Sequence, residues 1–305
     1  MSAPPEVPPF EGPELDAYLA RAGVDAETEA FVRSLAERGY ALVDLGDEAR
    51  TLIDRAVADT DRIFAAQPGM NRIQDAWLRS SAVKRLAAWP KVARLLRAAY
   101  GRAGFPFQTL NFLKGSQQGL HPDSIHFHSV PERFMCGVWI ALEDVRPGAG
   151  PLVYLPGSHR LPVMTMRDAG VNDPRPTPEH YATCFVQRFA ERLDAAGLPE
   201  ERAIIPKGWA FVWAANLAHG GSPLTDPDST RRSLVVHWYF EDCLYYTPMT
   251  SDVEGGRLSL RLPANVATGG WTWPRRNGRR VYPGRNPVLA AVLKRVFRRP
   301  FVAES

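Results

Sequence analysis

The spacing of apolar residues divides the chain into a helical first part and a β-rich second part. Apolar positions recur every three or four residues over 14–38, 47–66 and about 81–100, which is typical of amphipathic helices. A break is predicted at Pro90, because proline removes a helix hydrogen-bond donor and clashes with the preceding turn. Between the first two helical regions, YALVDL (40–45) predicts a short strand. The helices carry no recognisable chemistry and are predicted to cover one face of a sheet.

Beyond residue 105, apolar and polar positions alternate with a period of two, which is typical of strands. The alternating segments are FPFQTLNFL (105–113), FMCGVWIAL (134–142), PLVYL (151–155), AIIP (203–206), WAFVW (209–213) and SLVVHWYF (233–240). Turns with glycine and proline separate them, and one helical insertion interrupts them at about 178–197. Many short strands joined by such turns predict an antiparallel sandwich or barrel. The fold is therefore expected to be mainly β with flanking helices.

We expect a single domain with four parts. Residues 1–13 are a proline-rich, extended arm, and 14–105 form the helical cover. The β core follows over 106–250, and 251–305 form an irregular basic extension in which 286–298 predicts a short amphipathic helix. A length of 305 residues is compatible with one large domain.

Composition narrows the class of protein. Hydrophobic residues make up 45% of the chain and no run of eighteen apolar residues occurs, so a globular protein without a transmembrane segment is expected. The first residues lack the basic and apolar regions of a secretory signal. The three cysteines are far apart in sequence, which predicts no disulfide framework and a reduced, cytoplasmic setting.

The net charge of +4 comes largely from the end of the chain. RRNGRR (275–280) and LKRVFRRP (293–300) hold much of the excess. Such a segment would suit an anionic partner, for example a phosphorylated or CoA-linked substrate, but it is also compatible with an ordinary solvated surface. No nucleic-acid-binding motif accompanies it, so nucleic acid is not expected as a partner.

The strongest candidate for a metal site lies at the start of residues 121–159, which read HPDSIHFHSVPERFMCGVWIALEDVRPGAGPLVYLPGSH. Residues i and i+2 point to the same face of a strand, so His121 and Asp123 could present an imidazole and a carboxylate to one ion. His219, which follows the strand WAFVW in ANLAHGGSP, is the best candidate for a third ligand. Gly220 and Gly221 would let the backbone pass close to the site.

This set of residue types indicates a particular kind of metal chemistry. Two histidines and one carboxylate on one face of an octahedron leave three positions open and suit non-haem Fe(II) oxygenases. An all-histidine or thiolate set would instead favour zinc or copper. Arg231 and Arg232 begin the next strand, TRRSLVVHWYF, and strand alternation lets only one of them face inward. An inward guanidinium could hold the free carboxylate of a chelating cosubstrate such as 2-oxoglutarate.

Five sequence blocks resemble, in order, those of the phytanoyl-CoA dioxygenase family of Fe(II)/2-oxoglutarate-dependent oxygenases. The blocks are HPDSIHF, GVWIALED, GPLVYLPGSH, AHGGS and TRRSLVVHWYF. The resemblance covers roughly 106–242. It implies a double-stranded β-helix, which is a jelly-roll or cupin-like core, covered by the N-terminal helices. It also implies a hydroxylase that uses Fe(II), 2-oxoglutarate and O2 on a small-molecule substrate and releases succinate and CO2.

By resemblance, the iron ligands would be His121, Asp123 and His219. Arg231 matches the arginine that binds the distal carboxylate of 2-oxoglutarate, with Arg232 as the second choice because the preceding loop is slightly longer than the commonest form. Two further positions match residues of the cosubstrate pocket in some members, namely Trp139 and Asn111. Ser222 lies next to a family serine, although Gly221 holds the aligned position. The carboxylate of Asp123 favours hydroxylation, because halogenating members lack it.

Other histidines and carboxylates have plainer interpretations. His126 could line the substrate channel or be structural, and His128 is interpreted as a loop residue. A capping or hydrogen-bonding role is favoured for His159, and a hydrogen-bonded core position for His237. Glu143 and Asp144 follow a strand and are interpreted as solvated turn carboxylates.

Two rival functions use the same residues. A hydrolase could use Zn2+ to activate water, but it would leave the arginine and the Trp139 block without a role. A jelly-roll binding protein could keep a metal only for stability, but the complete set of ligands and arginine argues against a decayed site.

Overall fold

The fold is seen in a computed structural model that describes residues 5–281. The predicted helix over 286–298 lies outside the described residues. Within them, the helices are α1 (Leu15–Ala22), α2 (Ala26–Arg38), α3 (Asp47–Ala65), α4 (Ser81–Ala87), α5 (Pro90–Tyr100), α6 (Pro178–His180) and α7 (Val186–Ala196). A π-helical turn, Tyr181–Phe185, joins α6 to α7. None of the helices in this part of the chain is long and apolar enough to cross a membrane.

Local sequence signals determine where the helices begin and end. Asp25 caps α2, since its carboxylate accepts a hydrogen bond from the backbone N–H of Thr28 at 2.7 Å. Gly39 ends the same helix with a φ of 81°, which glycine adopts at little cost. Pro90 starts α5 rather than interrupting a longer helix, because its missing N–H is not needed in a first turn.

The strands are β1 (Tyr40–Asp44), β2 (Arg72–Gln74), β3 (Gly104–Phe112), β4 (His128–Val130), β5 (Met135–Ala141), β6 (Leu152–Tyr154), β7 (Glu201–Ala203), β8 (Trp209–Ala214), β9 (His219–Gly221), β10 (Ser233–Phe240), β11 (Leu244–Tyr246), β12 (Arg275–Arg276) and β13 (Arg279–Arg280). The main sheet has six strands in the order β1-β8-β5-β10-β3-β2, and all of its pairs are antiparallel. A smaller antiparallel sheet has the order β7-β6-β9. The predicted β architecture is confirmed as a jelly-roll whose sheets do not close.

Strand alternation gives the main sheet two different faces. On the outer face, residues such as Ile73, Val138 and Leu234 pack with the helices α2, α3, α4 and α5 in the largest core cluster. On the inner face, Trp139, Phe211 and their neighbours pack towards β6 of the small sheet. The candidate site lies at this inner face. The helical insertion forms a third cluster that includes Phe185 and Phe189 and packs against Ile125, next to the candidate metal ligands.

Candidate metal centre

Backbone pairing brings the two candidate histidine ligands together. His121 and His219 form an isolated antiparallel bridge in which each backbone N–H donates to the carbonyl of the other, at 2.9 and 3.0 Å. A side chain at Gly220 could not be accommodated, because a Cβ there would lie 2.6 Å from the carbonyl oxygen of Gln118. The glycine therefore allows the two chain segments to approach closely, as the sequence predicted.

Both histidines are held in the tautomer that a metal needs. Nδ1 of His121 lies 2.8 Å from the carbonyl oxygen of Gly119, and Nδ1 of His219 lies 3.0 Å from that of Leu217. A carbonyl oxygen only accepts, so each Nδ1 carries the proton and each Nε2 carries the lone pair that could bind an ion. The lone pair of His121 faces the side-chain amide of Gln118, which lies 3.3 Å from Nε2. Hydrogen bonding of the second ring nitrogen is typical of metal-binding histidines.

Asp123 completes the group. One ligand atom from each of His121, Asp123 and His219 lies within 4.8 Å of the other two. Oδ1 of Asp123 lies 3.8 Å from Nε2 of His219. Asp123 does not lie in a strand with His121 but begins a 3-10 turn, Asp123–Ile125. The turn still brings the carboxylate to the same side as the imidazole.

The second oxygen of Asp123 is held by a tryptophan. The indole Nε1–H of Trp213 donates to Oδ2 at 2.8 Å, and both side chains are buried. The indole reaches this position by lying across Gly137 of the neighbouring strand, where any Cβ would overlap the ring. Glycine inside a strand often marks such a close approach. The bond leaves Oδ1 as the oxygen that faces the histidines.

A third imidazole lies beside the carboxylate. Nε2 of His237 is 3.6 Å from Oδ2 of Asp123, which is too long for a hydrogen bond. Nδ1 of His237 lies 2.9 Å from the side-chain oxygen of Gln108 on β3. His237 therefore has the hydrogen-bonded, inward position that was favoured for it, and it also lines the cavity.

Burial sets the protonation states of these groups. It lowers the pKa of His121 to about 4 and holds the pKa of His219 below its usual value, so both imidazoles are neutral at neutral pH. Burial alone would raise the pKa of Asp123, but the facing imidazoles, His237 foremost, and the Trp213 hydrogen bond lower it. Two neutral imidazoles and a carboxylate are the forms that bind a metal ion.

Arg231 lies at another wall of the same cavity, which has a volume of about 290 Å³. It is 3% exposed, and one Nη donates to the carbonyl oxygen of Gly150 at 2.8 Å. No carboxylate pairs with it within residues 5–281, and burial lowers its pKa to about 10, which still leaves it charged at neutral pH. A buried, unpaired cation is costly, so this position fits an anionic ligand.

The neighbouring arginine has a different role. Arg232 points away from the cavity and pairs with Asp61 at 3.1 Å and with Glu143 at 3.3 Å. Glu143 also accepts hydrogen bonds from the backbone N–H of Arg232 and the hydroxyl of Thr230, so it fixes this turn rather than remaining only solvated. Of the two candidates, only Arg231 faces the cavity.

The two remaining predicted pocket residues lie on opposite faces of the sheet. Trp139 is buried, lines the cavity, and has the guanidinium of Arg231 5.4 Å from its ring centroid. Asn111 is buried beside Ile73 and Leu234, which belong to the outer-face core. Leu110 and Phe112, its neighbours in β3, line the cavity instead. The expected contact between Asn111 and the cosubstrate does not agree with this placement.

Several buried polar atoms near Arg231 lack a protein partner among the described residues. They are Nε of Arg231, Nε1 of Trp139 and the hydroxyl of Ser222. Buried polar atoms are normally hydrogen-bonded, so each such exception needs an explanation. A polar ligand bound beside Arg231 would explain these atoms by providing their hydrogen-bond partners. The donor set and these atoms together fit a metal with an anionic chelating cosubstrate.

The other histidines fall into two groups. His126 lines the cavity between His121 and Tyr181, at ring distances of 5.9 and 5.0 Å. His128 is not a loop residue but a buried residue of β4. His159 is also buried, and its Nε2 contacts the carbonyl oxygen of Ala36 at 3.2 Å, in keeping with a structural role.

Sequence reasoning missed the residues that complete the cavity wall. Trp213 and Gly137 carried usable signals: an aromatic residue alternating with Phe211 in the strand before His219, and a glycine inside an apolar strand. Arg72 and Gln74 carried none, because their three-residue strand β2 is too short to show alternation.

The sequence matches the family model described as phytanoyl-CoA dioxygenase (PhyH) over residues 27–233. It matches no curated protein at significant similarity. The structure is similar to the epimerase SnoN of nogalamycin biosynthesis, solved with Fe3+, alpha ketoglutarate and nogalamycin RO, with 22% identity and a TM-score of 0.57 over 72% of this chain and 86% of that one.

Two other solved structures are similar to the same extent. The carbocyclase SnoK of nogalamycin biosynthesis has 18% identity and a TM-score of 0.56 over 77% of this chain and 90% of that one. EctD from S. alaskensis, solved with 2-oxoglutarate and 5-hydroxyectoine, has 18% identity and a TM-score of 0.54 over 75% and 80%. At these identities the likeness is one of fold.

The family match itself is broader than any single motif. It spans more than half of the 305 residues and contains the triad, the glycines beside it and the buried arginine. The order of the blocks, the jelly-roll and the geometry of the triad all agree with that match. This chain belongs to the phytanoyl-CoA dioxygenase family.

Proposed function

We propose that the protein is an Fe(II)- and 2-oxoglutarate-dependent oxygenase that hydroxylates an unactivated C–H bond of a small-molecule substrate and releases succinate and CO2. The observation that carries this proposal is the coexistence, in one cavity, of a His-Asp-His triad and a buried arginine that has no carboxylate partner within residues 5–281. A metal site alone would not need the arginine, and a simple anion site would not need the triad.

The triad would hold the metal through Nε2 of His121, Nε2 of His219 and Oδ1 of Asp123. Two imidazoles and one carboxylate suit Fe(II) and leave coordination positions for other ligands. The backbone carbonyls behind each imidazole keep the lone pairs directed towards the ion. When bound, Fe(II) with 2-oxoglutarate and O2 supplies the oxidising power of the reaction.

Arg231 would bind the distal carboxylate of 2-oxoglutarate, and the neutral wall around it would exclude water. Apolar side chains form a large part of the cavity lining, namely Leu110, Phe112, Trp139, Leu152 and Val235. An apolar wall strengthens the attraction between the guanidinium and a carboxylate, because the local dielectric is low. The same wall protects the reacting centre from solvent.

The family match and the similar structures support an Fe(II)/2-oxoglutarate-dependent enzyme more strongly than they support hydroxylation as its reaction. The similar solved structures include an epimerase and a carbocyclase as well as EctD. We favour hydroxylation over halogenation because Asp123 matches the carboxylate ligand that halogenating members of the family lack.

The first test is spectroscopic. Protein loaded anaerobically with Fe(II) should develop a visible absorption band when 2-oxoglutarate is added, and it should form succinate slowly in air. Asp123→Ala should abolish both signals. Asp194→Ala, which removes an exposed carboxylate on α7, should leave both intact. If the wild-type protein with fresh Fe(II) gives neither the band nor succinate, the proposed function is wrong.

A further inference from the structure

Part of the cavity wall outside the triad and Arg231 is polar. Arg72 and Gln74 project from β2 into the cavity, and Gln108 and His237 lie on the two neighbouring strands. The intervening residue, Ile73, points to the outer-face core, so alternation directs both β2 side chains inward. A long apolar chain lying here would have to desolvate two amides, an imidazole and a guanidinium without replacing their hydrogen bonds.

Outside the triad, the permanently charged side chains that line the cavity are all cationic. Among the described lining residues they are Arg72 and Arg231. Arg72 forms no ion pair within residues 5–281. Behind the wall, the guanidinium of Arg261 lies 4.8 Å from the ring centroid of Phe127, which itself lines the cavity, and its Nε is buried without a partner in the described chain.

The charges of the lining residues can be compared with those of the proposed metal and cosubstrate. If the proposed function holds, the two charges of Fe(II) balance those of 2-oxoglutarate, and Asp123 balances Arg231. Arg72, which is exposed on the edge strand β2, and Arg261, which lies behind Phe127, then have no carboxylate partner among the described residues. A cationic substrate would be repelled by both and would find no free carboxylate among the described lining residues, whereas an anionic substrate would be attracted to them.

We infer that the substrate is a small polar molecule that carries a carboxylate, and that Arg72 is the residue that binds this group. The cavity volume of about 290 Å³ must also accommodate the cosubstrate, which limits the substrate to a small molecule. This inference rests on the proposed function. It goes beyond that function by naming the chemical class of the substrate and the residue that recognises it.

The inference is tested with the matched probes benzoate and benzamide, which have nearly the same shape and differ in charge. Each is titrated calorimetrically at low salt into protein that holds Fe(II) and saturating 2-oxoglutarate without oxygen, so that Arg231 is already occupied. The wild-type protein should bind benzoate at least about tenfold more tightly than benzamide, as expected for one charge-assisted hydrogen-bonded contact. Arg72→Gln should remove this preference.

Arg55→Gln is the matched control, because Arg55 is an exposed arginine on α3 that forms no ion pair in the described chain. It should keep the preference for benzoate. The inference is overturned if the wild-type protein binds both probes equally, or if Arg72→Gln still prefers benzoate. It is also overturned if Arg72→Gln weakens 2-oxoglutarate binding instead, because Arg72 would then belong to the cosubstrate site.

The absorption band of the same sample distinguishes a wrong substrate class from a wrong proposed function. If the Fe(II)–2-oxoglutarate band forms but benzoate has no advantage, only the substrate class is wrong. If the band does not form, the proposed function fails and the inference that rests on it falls as well.

Discussion

Replacing Trp213 with phenylalanine should weaken metal binding, although the residue contacts no metal. The substitution removes the Nε1–H that donates to Oδ2 of Asp123 at 2.8 Å. Without it, the carboxylate can rotate, and Oδ1 is no longer kept facing His219. Loss of a hydrogen bond that orients a metal ligand typically costs about tenfold to hundredfold in metal affinity. We expect an increase of that size in the dissociation constant.

The loss of ring volume has to be separated from the loss of the hydrogen bond. Trp238 provides the control, because it is as deeply buried as Trp213, at 2% and 1% exposure, but its Nε1 has no partner among the described residues. Trp238→Phe removes the same atoms from a core site on the outer face of the sheet. Both variants should lose stability to a similar degree, by a few kcal/mol at most for a substitution that leaves a small cavity.

The assay is a titration of metal-free protein with Co(II), whose visible absorption reports binding, in competition with a chelator of known affinity. Trp213→Phe should bind Co(II) less tightly and Trp238→Phe should bind it like the wild type. If Trp213→Phe retains wild-type affinity, or if both variants lose affinity equally, then the indole does not orient Asp123 and the reasoning is refuted.

Three further predictions follow from the same geometry. Arg231→Gln should raise the dissociation constant of 2-oxoglutarate by about two orders of magnitude, as for other buried charge pairs. Arg232→Gln should leave this constant unchanged. Both constants are measured from the intensity of the Fe(II)–2-oxoglutarate band at increasing concentrations of 2-oxoglutarate. Gly137→Ala should displace the indole of Trp213 and reproduce the Co(II) defect of Trp213→Phe, and wild-type affinity in that variant would contradict the close approach. Metal-free protein should lose stability as the pH falls from 6.5 towards 4, because burial lowers the pKa of His128 to about 3 and only the unfolded chain takes up that proton. His128 should contribute about 1.4 kcal/mol per pH unit to the slope seen in urea unfolding. His128→Phe should lower the total slope by that amount and leave the part due to the other buried histidines.

The sequence pattern predicts the β architecture and the longer strands of its core, and the family resemblance implies the jelly-roll. SLVVHWYF (233–240) was predicted as a strand and is β10, and the helical insertion was expected at 178–197 and ends at Ala196. These elements were predictable because burial of one face imposes a clear period on the sequence. AIIP (203–206) was less well placed, since the strand is Glu201–Ala203 and Ile204 is largely exposed.

The residues of the site that are recognisable from their chemistry could be predicted from the sequence. A residue whose role depends on which side chains pack beside it could not. The chemistry of two histidines, a carboxylate and an arginine can be recognised from the residues alone, and the structure brings these side chains to one cavity. Trp213 is different, because its role depends on Gly137 lying beside it in the next strand. Each of these two residues has a local signal of its own, but their pairing across distant segments has none in a single sequence.

Asn111 shows how strongly this depends on register. Strand side chains alternate between faces, so an error of one position moves a residue from the cavity to the opposite core. Gln108 lies on the cavity side of the same strand, and its side-chain oxygen contacts His237 at 2.9 Å. A polar residue on β3 does therefore reach the candidate site, as the family resemblance implied, but it lies three residues earlier. The pairing of β3 with β10 decides which residue of the strand can take part in the chemistry.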